Sequence, residues 1–413
     1  MTDQSHEGPA PGVPGLIETK GSVAEVLWAF LRLGLTSFGG PVAHLSYFHE
    51  DIVQRRRWIG EGEYAELIAV CQFLPGPASS QVGYALGVLR AGAWGGLAAF
   101  TAFTLPSALL MVAFAFGAAQ FQGPWAEGLS HGLKLVAVAV VAHAVWGMAR
   151  TMASDIFRAA IAGAALLIVL MTAGVVGQLA AIGVGVVAGA WLPGSVARPD
   201  QQTLAIPISR RAGLTALAIF SGLLVGLPVL AAATGWQATA LVDVFYRAGA
   251  LVFGGGHVVL PLLEEGAVRP GWIGADAFVT GYGAAQAVPG PLFSFAAFLG
   301  FSSEPWPNGI LGAALCLAAV FLPGLLLVTA ALPFWGVLRR RRLVQASMRG
   351  ANAAVVGILA AALYSPVATS ALFSLPDFVV AAAGFVLLAV FRAPAWLVVL
   401  LTAAAGALVS ILV

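Results

Sequence analysis

Phe30-Leu31-Arg32-Leu33-Gly34-Leu35-Thr36-Ser37-Phe38-Gly39-Gly40 returns 215 residues later as Phe245-Tyr246-Arg247-Ala248-Gly249-Ala250-Leu251-Val252-Phe253-Gly254-Gly255. At an offset of 214, Gln72-Phe73-Leu74-Pro75-Gly76-Pro77 returns as Gln286-Ala287-Val288-Pro289-Gly290-Pro291. Trp58-Ile59-Gly60 matches Trp272-Ile273-Gly274 between these blocks, and Leu105-Pro106 matches Leu322-Pro323 beyond them. The chain is therefore a duplication. Each copy is hydrophobic and is interrupted by glycine and proline at corresponding places, the sequence pattern of secondary transporters.

Composition agrees. Hydrophobic residues make up 60% and charged residues 9% of the chain, against about 25% charged in a globular protein; mean hydropathy is +0.93. The runs Ile156–Trp191, Ala212–Ala233, Gly309–Val337 and Ala395–Val413 reach or approach the ~20 apolar residues that cross a bilayer. They are too long and too uniformly apolar for barrel strands, so the expected fold class is an all-α polytopic membrane protein. A soluble protein could not cover so large an apolar core. Cys71 and Cys316 give neither a disulfide framework nor metal-ligand spacing, and the six histidines form no i, i+4 pair.

The expected organisation is a disordered cytoplasmic tail over 1–22, an N-terminal transporter repeat over 23–192, a polar linker with a joining helix over 193–238, and a C-terminal repeat over 239–413. The tail lacks the basic and apolar stretches of a signal peptide. Each repeat opens with a segment broken at Phe-Gly-Gly and a second broken at Pro-Gly-Pro. Prolines and glycines so placed stop a regular helix, and in lipid such a break survives where it lines a protein-enclosed cavity. Regular spans follow near 97–118, 130–149, 157–174 and 176–192, and again near 310–335, 349–366, 376–391 and 395–413. Arg150, Arg158, Arg198, Arg210, Arg211, Arg339–Arg342 and Arg392 fall in connections on one side, whereas 119–129, 234–242 and 302–308 contain no Lys or Arg. The positive-inside rule puts the first set in the cytoplasm, which makes the repeats inverted in topology, flipped by the joining span near 212–233. The paired broken segments either both return to their starting side or both cross.

Most polar side chains at membrane depth lie on the breaks. In the first repeat these are Arg32, Ser37, His44, Glu66, Gln72, Ser79, Ser80 and Gln81; in the second, Asp243, Arg247, His257, Gln286 and Ser294. Helix starts at Gly39-Gly40, Gly76, Gly254-Gly255-Gly256 and Gly290, shaped by Pro75, Pro77, Pro289 and Pro291, leave N–H groups free, and such ends favour anions. A cage of N–H and hydroxyl donors suits a small tetrahedral oxyanion. For Arg32 and Arg247 two readings stand: counter-charges to that anion, or helix-end anchors that pair with Glu25 and Asp243. Glu66 is the acidic candidate for proton coupling, against a structural place beside Arg55–Arg57. Gly254-Gly255-Gly256-His257 is no phosphate loop, lacking a following Gly-Lys-Ser/Thr. Ser79-Ser80 lacks a nucleophile elbow, and Arg339–Arg342 is too short for nucleic acid.

Phe38-Gly39-Gly40-Pro41, His44, Arg56-Arg57-Trp58, Cys71-Gln72 with Pro75-Gly76-Pro77, and Ser79-Ser80-Gln81 resemble the chromate ion transporter (CHR) family. So do Phe253-Gly254-Gly255-Gly256-His257, Gly281-Tyr282-Gly283 and Gln286 with Pro289-Gly290-Pro291. The resemblance covers nearly the whole chain, as in two-domain bacterial members. It implies a multi-pass protein of the bacterial inner membrane that exports chromate, driven by proton gradient or membrane potential, and so confers chromate resistance. It implies no enzyme activity, cofactor or metal, and partners limited to a small inorganic oxyanion and the lipid bilayer, with a homodimer left open. Family motif positions also include Arg90. A sulfate or related-anion carrier and a passive anion channel are the alternatives. Where the first repeat has Ser79-Ser80-Gln81 the second has Phe293-Ser294-Phe295, so the first is expected to supply more substrate contacts.

Overall fold

The structure is a computed structural model, which describes residues 21–120, 123–172, 175–191, 207–253, 256–304, 306–338 and 341–412. The expected tail (all but Gly21 and Ser22), most of the expected linker, Gly254, Gly255, Arg339 and Arg340 lie outside the described residues.

Every regular element among the described residues is helical, and the elements come twice in the same order. The first set is α1 (Val23–Thr36), α2 (Gly40–Phe48), a π-helical turn His49–Arg55, α3 (Glu61–Phe73), α4 (Ala78–Gln120), α5 (Pro124–Met152), α6 (Ile156–Met171) and α7 (Val175–Ala190). After α8 (Arg210–Thr234) come α9 (Gln237–Leu251), a 3-10 turn Gly256–Val258, α10 (Val259–Leu263), a second π-helical turn Glu264–Val268 and α11 (Ala275–Ala285). A 3-10 turn Leu292–Ser294 leads to α12 (Phe295–Ser302), followed by α13 (Gly309–Ala331), α14 (Trp335–Leu338), α15 (Arg342–Ala362), α16 (Leu375–Ala389) and α17 (Ala395–Leu412). The caps follow sequence rules. Ser22, Asp155, Ser209 and Ser374 each accept a first-turn N–H of α1, α6, α8 and α16, satisfying a donor the helix cannot.

The broken segments fold back on themselves. Glu25, at the start of α1, accepts hydrogen bonds from Trp58 Nε1 (3.1 Å) and from Arg90 (3.1 Å), and Gly21 N–H donates to the Arg90 carbonyl (2.9 Å). The start of α1, the end of the segment after Gly39-Gly40 and the end of the helix after Pro77 therefore meet at one place. Of the two paths left open by the sequence, this is the returning one. In the second copy Glu304 N–H donates to the Trp272 carbonyl (3.0 Å), so the Pro-Gly-Pro segment there also ends beside its beginning. Both copies then turn again into a long helix. In α4 the chain leaves helical geometry at Ala91 and Gly92 (φ 67°) and doubles back, so that a Cβ on Gly87 would collide with the Gly95 carbonyl. Gly300 and Gly312 make the same close approach between α12 and α13. The expected span near 97–118 is thus the second arm of a hairpin.

The copies interlock. α5 packs against α16 and α17 of the other copy, and its repeat mate α15 packs against α6 and α7. At 16, 16, 15 and 18 residues, α6, α7, α16 and α17 are about 22–27 Å long, short of the ~30 Å hydrocarbon core. The sequence expected full spans here. The turn between α16 and α17 lies against the first Phe-Gly-Gly break, where the ring of Trp396 is 6.4 Å from that of Phe38. Five other helical stretches, Ala78–Ala118, Trp125–Met152, Arg210–Thr234, Gly309–Leu338 and Arg342–Ala368, are long and apolar enough to cross a membrane.

Candidate functional site

The two kinds of break are joined across the duplication by two backbone hydrogen bonds. Gly290 N–H donates to the carbonyl of Ser37 (2.8 Å), and Gly76 N–H donates to the carbonyl of Val252 (2.7 Å). Gly76 and Gly290 are repeat mates, as are Ser37 and Val252, so these are one contact made twice. Each Pro-Gly-Pro turn docks on the Phe-Gly-Gly break of the other copy. Gly76 (φ 121°) and Gly290 (φ 95°) hold left-handed backbone that a side chain resists, and that geometry turns their N–H groups toward the partner break.

One of these junctions borders a half-open cavity of about 370 Å³. Gly39 and Gly40 line it from the first copy, at the start of α2. From the second copy come His257, Gln286 and Gly290. His143 on α5 and Arg392, in the turn between α16 and α17, complete its polar wall, and Ala395 brings the start of α17 to the same space. Among the described residues that line it none is acidic. Gln286 Nε2 is buried and has no hydrogen-bond partner among the described residues. His257 Nδ1 lies 2.6 Å from the hydroxyl of Tyr282, which leaves Nε2 as its other polar atom. A guanidinium, two imidazoles, an amide donor and the positive ends of α2 and α17 converge on a space free of carboxylates. That set can hold an anion and repels a cation.

The sequence-derived candidates divide accordingly. Gly39, Gly40, His257, Gln286 and Gly290 meet in the cavity. Ser37, Gly256, Pro289, Pro291 and Ser294 are buried around it, Ser37 through its carbonyl. His44 and Ser79 form a separate buried pair (Nδ1 to Oγ, 3.3 Å), with Ser80 buried nearby in sequence. Gln81 locks the first turn: its amide donates to the carbonyls of Pro75 (2.9 Å) and Gly324 (3.1 Å), beside Gly76 and Pro77. Outside the cavity stand Arg32 and Gln72, both exposed, and Glu66, half-buried on α3. Arg247 pairs with Asp243 on its own helix, the anchor reading of that residue, whereas Glu25 takes Arg90 and not Arg32. Gly254 and Gly255 lie outside the described residues. The sequence reading missed His143 and Arg392. A histidine inside an apolar span was a signal for the first; Arg392 had been used only to orient loops.

Two interlocked copies of one apolar helical unit, each broken at Phe-Gly-Gly and at Pro-Gly-Pro, make an internally duplicated helical membrane protein. The family model described as chromate transporter matches residues 24–190 and 239–407, and the chain belongs to that family. It is 26% identical over 387 residues to a probable chromate transport protein of Synechococcus elongatus, covering 87% of this chain and 88% of the relative. It is 27% identical to a chromate transport protein of Cupriavidus metallidurans (83% of this chain, 82% of the relative) and 28% identical to one of Pseudomonas aeruginosa (82% and 80%). No solved structure matches the chain.

Proposed function

We propose that the protein exports chromate from the cytoplasm across the bacterial inner membrane, driven by the membrane potential or a proton gradient, and so protects the cell from chromate. The observation that carries this reading is the cavity where Gly39-Gly40 meets Gln286–Gly290, walled by Arg392, His143 and His257 with no acid among its described lining. The repeats lie in the bilayer in opposite senses, units 23–192 and 239–413 being exchanged by the joining helix α8. Two features support that orientation. The basic connections cluster on one side by the positive-inside rule. In addition, Ser130 and Lys134, near the start of α5, bond Thr280 (2.7 Å) and Asp276 (2.9 Å) at α11. The start of the second copy's Pro-Gly-Pro segment thus sits at the far end of α4 from Glu25.

Sulfate shares the shape and charge of chromate, and the donors in the cavity read only those two properties. Uptake of labelled chromate into inside-out vesicles is expected, abolished by an uncoupler and reduced by excess sulfate. Flux that persists with the uncoupler would mean a passive channel. Flux indifferent to the chain's presence would end the proposal.

A further inference from the structure

Chromate and sulfate are dianions, and the cavity offers one permanent positive charge, Arg392. A dianion beside one guanidinium still carries one uncompensated negative charge, and although Arg392 itself is exposed, that charge costs free energy wherever the passage becomes closed to water. The remaining ionisable groups of the lining are His143 and His257, and an imidazole is the side chain that gains a proton near neutral pH. We propose that the oxyanion loads together with one proton, taken up by the His143–His257 pair, so that anion, guanidinium and imidazolium sum to zero net charge. This rests on the reading of the cavity as the oxyanion site. It places the protonatable group on the cavity wall and not at Glu66 on α3; because anion and proton would leave together with a net charge of about −1, the membrane potential, and not an inward proton gradient, would drive export.

The surroundings of the pair leave little else to respond. α11 presents Tyr282, hydrogen-bonded to His257 (2.6 Å), and α16 presents Phe385, whose ring lies 6.5 Å from that of His143. The turn before α17 presents Arg392. α10, α12, α15, α17 and the turn Leu292–Ser294 contain no Asp or Glu. The acids on elements packed against α5, Asp276 and Asp377, are held by Lys134 (2.9 Å) and His131 (2.7 Å), about two and a half turns or more before His143. Asp243 of α9 is paired with Arg247. Two features mark Arg392 as held for use. Its backbone sits at φ 52°, in the left-handed region, though it is not glycine, and such strain gathers at functional positions. It also has no acidic partner among the described residues.

The test is calorimetric titration of the purified full-length protein with chromate, and with sulfate, which carries no exchangeable proton at these pH values. Buffers of different ionisation enthalpy report the protons taken up per anion. At about pH 8, above the ordinary imidazole pKa of ~6.5, the wild type should take up about one proton with either anion. His143→Gln with His257→Gln should take up none and should bind ~10-fold more weakly at the same pH. Each single variant is measured as well, so a double variant that fails to assemble still leaves two readings. A wild type that binds with no proton uptake, or a variant pair that retains it, overturns the proposal. Arg392→Gln separates the two levels of the argument. If it binds both anions as tightly as the wild type, the cavity is not the site and the functional reading itself fails. If it weakens binding while uptake by the wild type is nil, only the proton proposal is lost.

Discussion

The two Pro-Gly-Pro turns make the same cross-copy hydrogen bond and are otherwise set in different company. Around the first, Gln81 ties its amide to Pro75 and Gly324, so the turn is sealed by side-chain donors. Around the second, the position equivalent to Gln81 is Phe295, which has no amide to give, and Ser107 replaces Gly324 as the neighbour. The glutamines that open the two motifs have also parted: Gln72 is exposed, while Gln286 faces the cavity with its Nε2 unpartnered. Duplication preserved the backbone contact, and side-chain divergence made one junction a clamp and the other the wall of a cavity.

The largest effect that tests this contrast falls on the glycines. Gly76→Ala and Gly290→Ala both force a side chain into left-handed backbone, and each should lose about 1–3 kcal/mol of stability. Gly76→Ala should lose the more, because its Cβ would lie 2.8 Å from Gln81 Nε2 and 3.1 Å from the Gly324 Cα, disturbing the clamp. On Gly290 the Cβ meets the rotatable Ser107 hydroxyl at 3.0 Å and the Phe103 carbonyl at 3.2 Å. Thermal unfolding in detergent measures both. Equal stability of Gly76→Ala and wild type would show that the first turn is not clamped.

A smaller and purely functional difference is expected from the glutamines. Gln286→Ala removes a donor from the cavity and should weaken chromate binding about tenfold, ~1.4 kcal/mol. Gln72→Ala, at an exposed position, should change it by less than about twofold. Equal losses would mean that the two junctions serve the anion alike.

The repeat, the breaks and their glycines were legible because each needs a particular residue type: only glycine tolerates the φ of Gly76, and only proline and glycine end a helix so abruptly in lipid. What the sequence concealed was pairing. Nothing in Phe38-Gly39-Gly40 says that it meets Gly290 and not Gly76, since both partners read Pro-Gly-Pro. The expectation that the first copy would hold more substrate contacts came from its richer hydroxyls, Ser79 and Ser80, yet Ser79 is spent on His44 within its own copy. His143 and Arg392 stayed hidden for a different reason. They lie on regular helices and turns with no repeat mate of the same type, and three-dimensional packing alone brings them to the breaks.

The smallest effect in the comparison concerns the cap of one mated helix pair. α6 starts at Asp155, whose carboxylate accepts from the Arg158 backbone N–H (2.9 Å) and from its guanidinium. Its mate α16 starts at Ser374, capped through a hydroxyl with Asp377 reaching back. The Arg158 backbone N–H first, and the guanidinium second, hold the Asp155 carboxyl below the usual carboxylate range. A lowered folded-state pKa means that the contribution is present above the unfolded value of ~3.9 and fades as pH falls through the folded one. Asp155→Asn keeps a side-chain cap and removes the charge, so it should unfold slightly earlier than the wild type at about pH 7. The gap should close as the pH falls below about 4. In Ser374→Asn the ionisable member of the cap, Asp377, keeps its bonds from the Phe373 and Ser374 N–H groups, so the corresponding difference should narrow less in that window. A gap in Asp155→Asn that is constant with pH would assign the cap to geometry alone and leave the two copies equivalent at this helix.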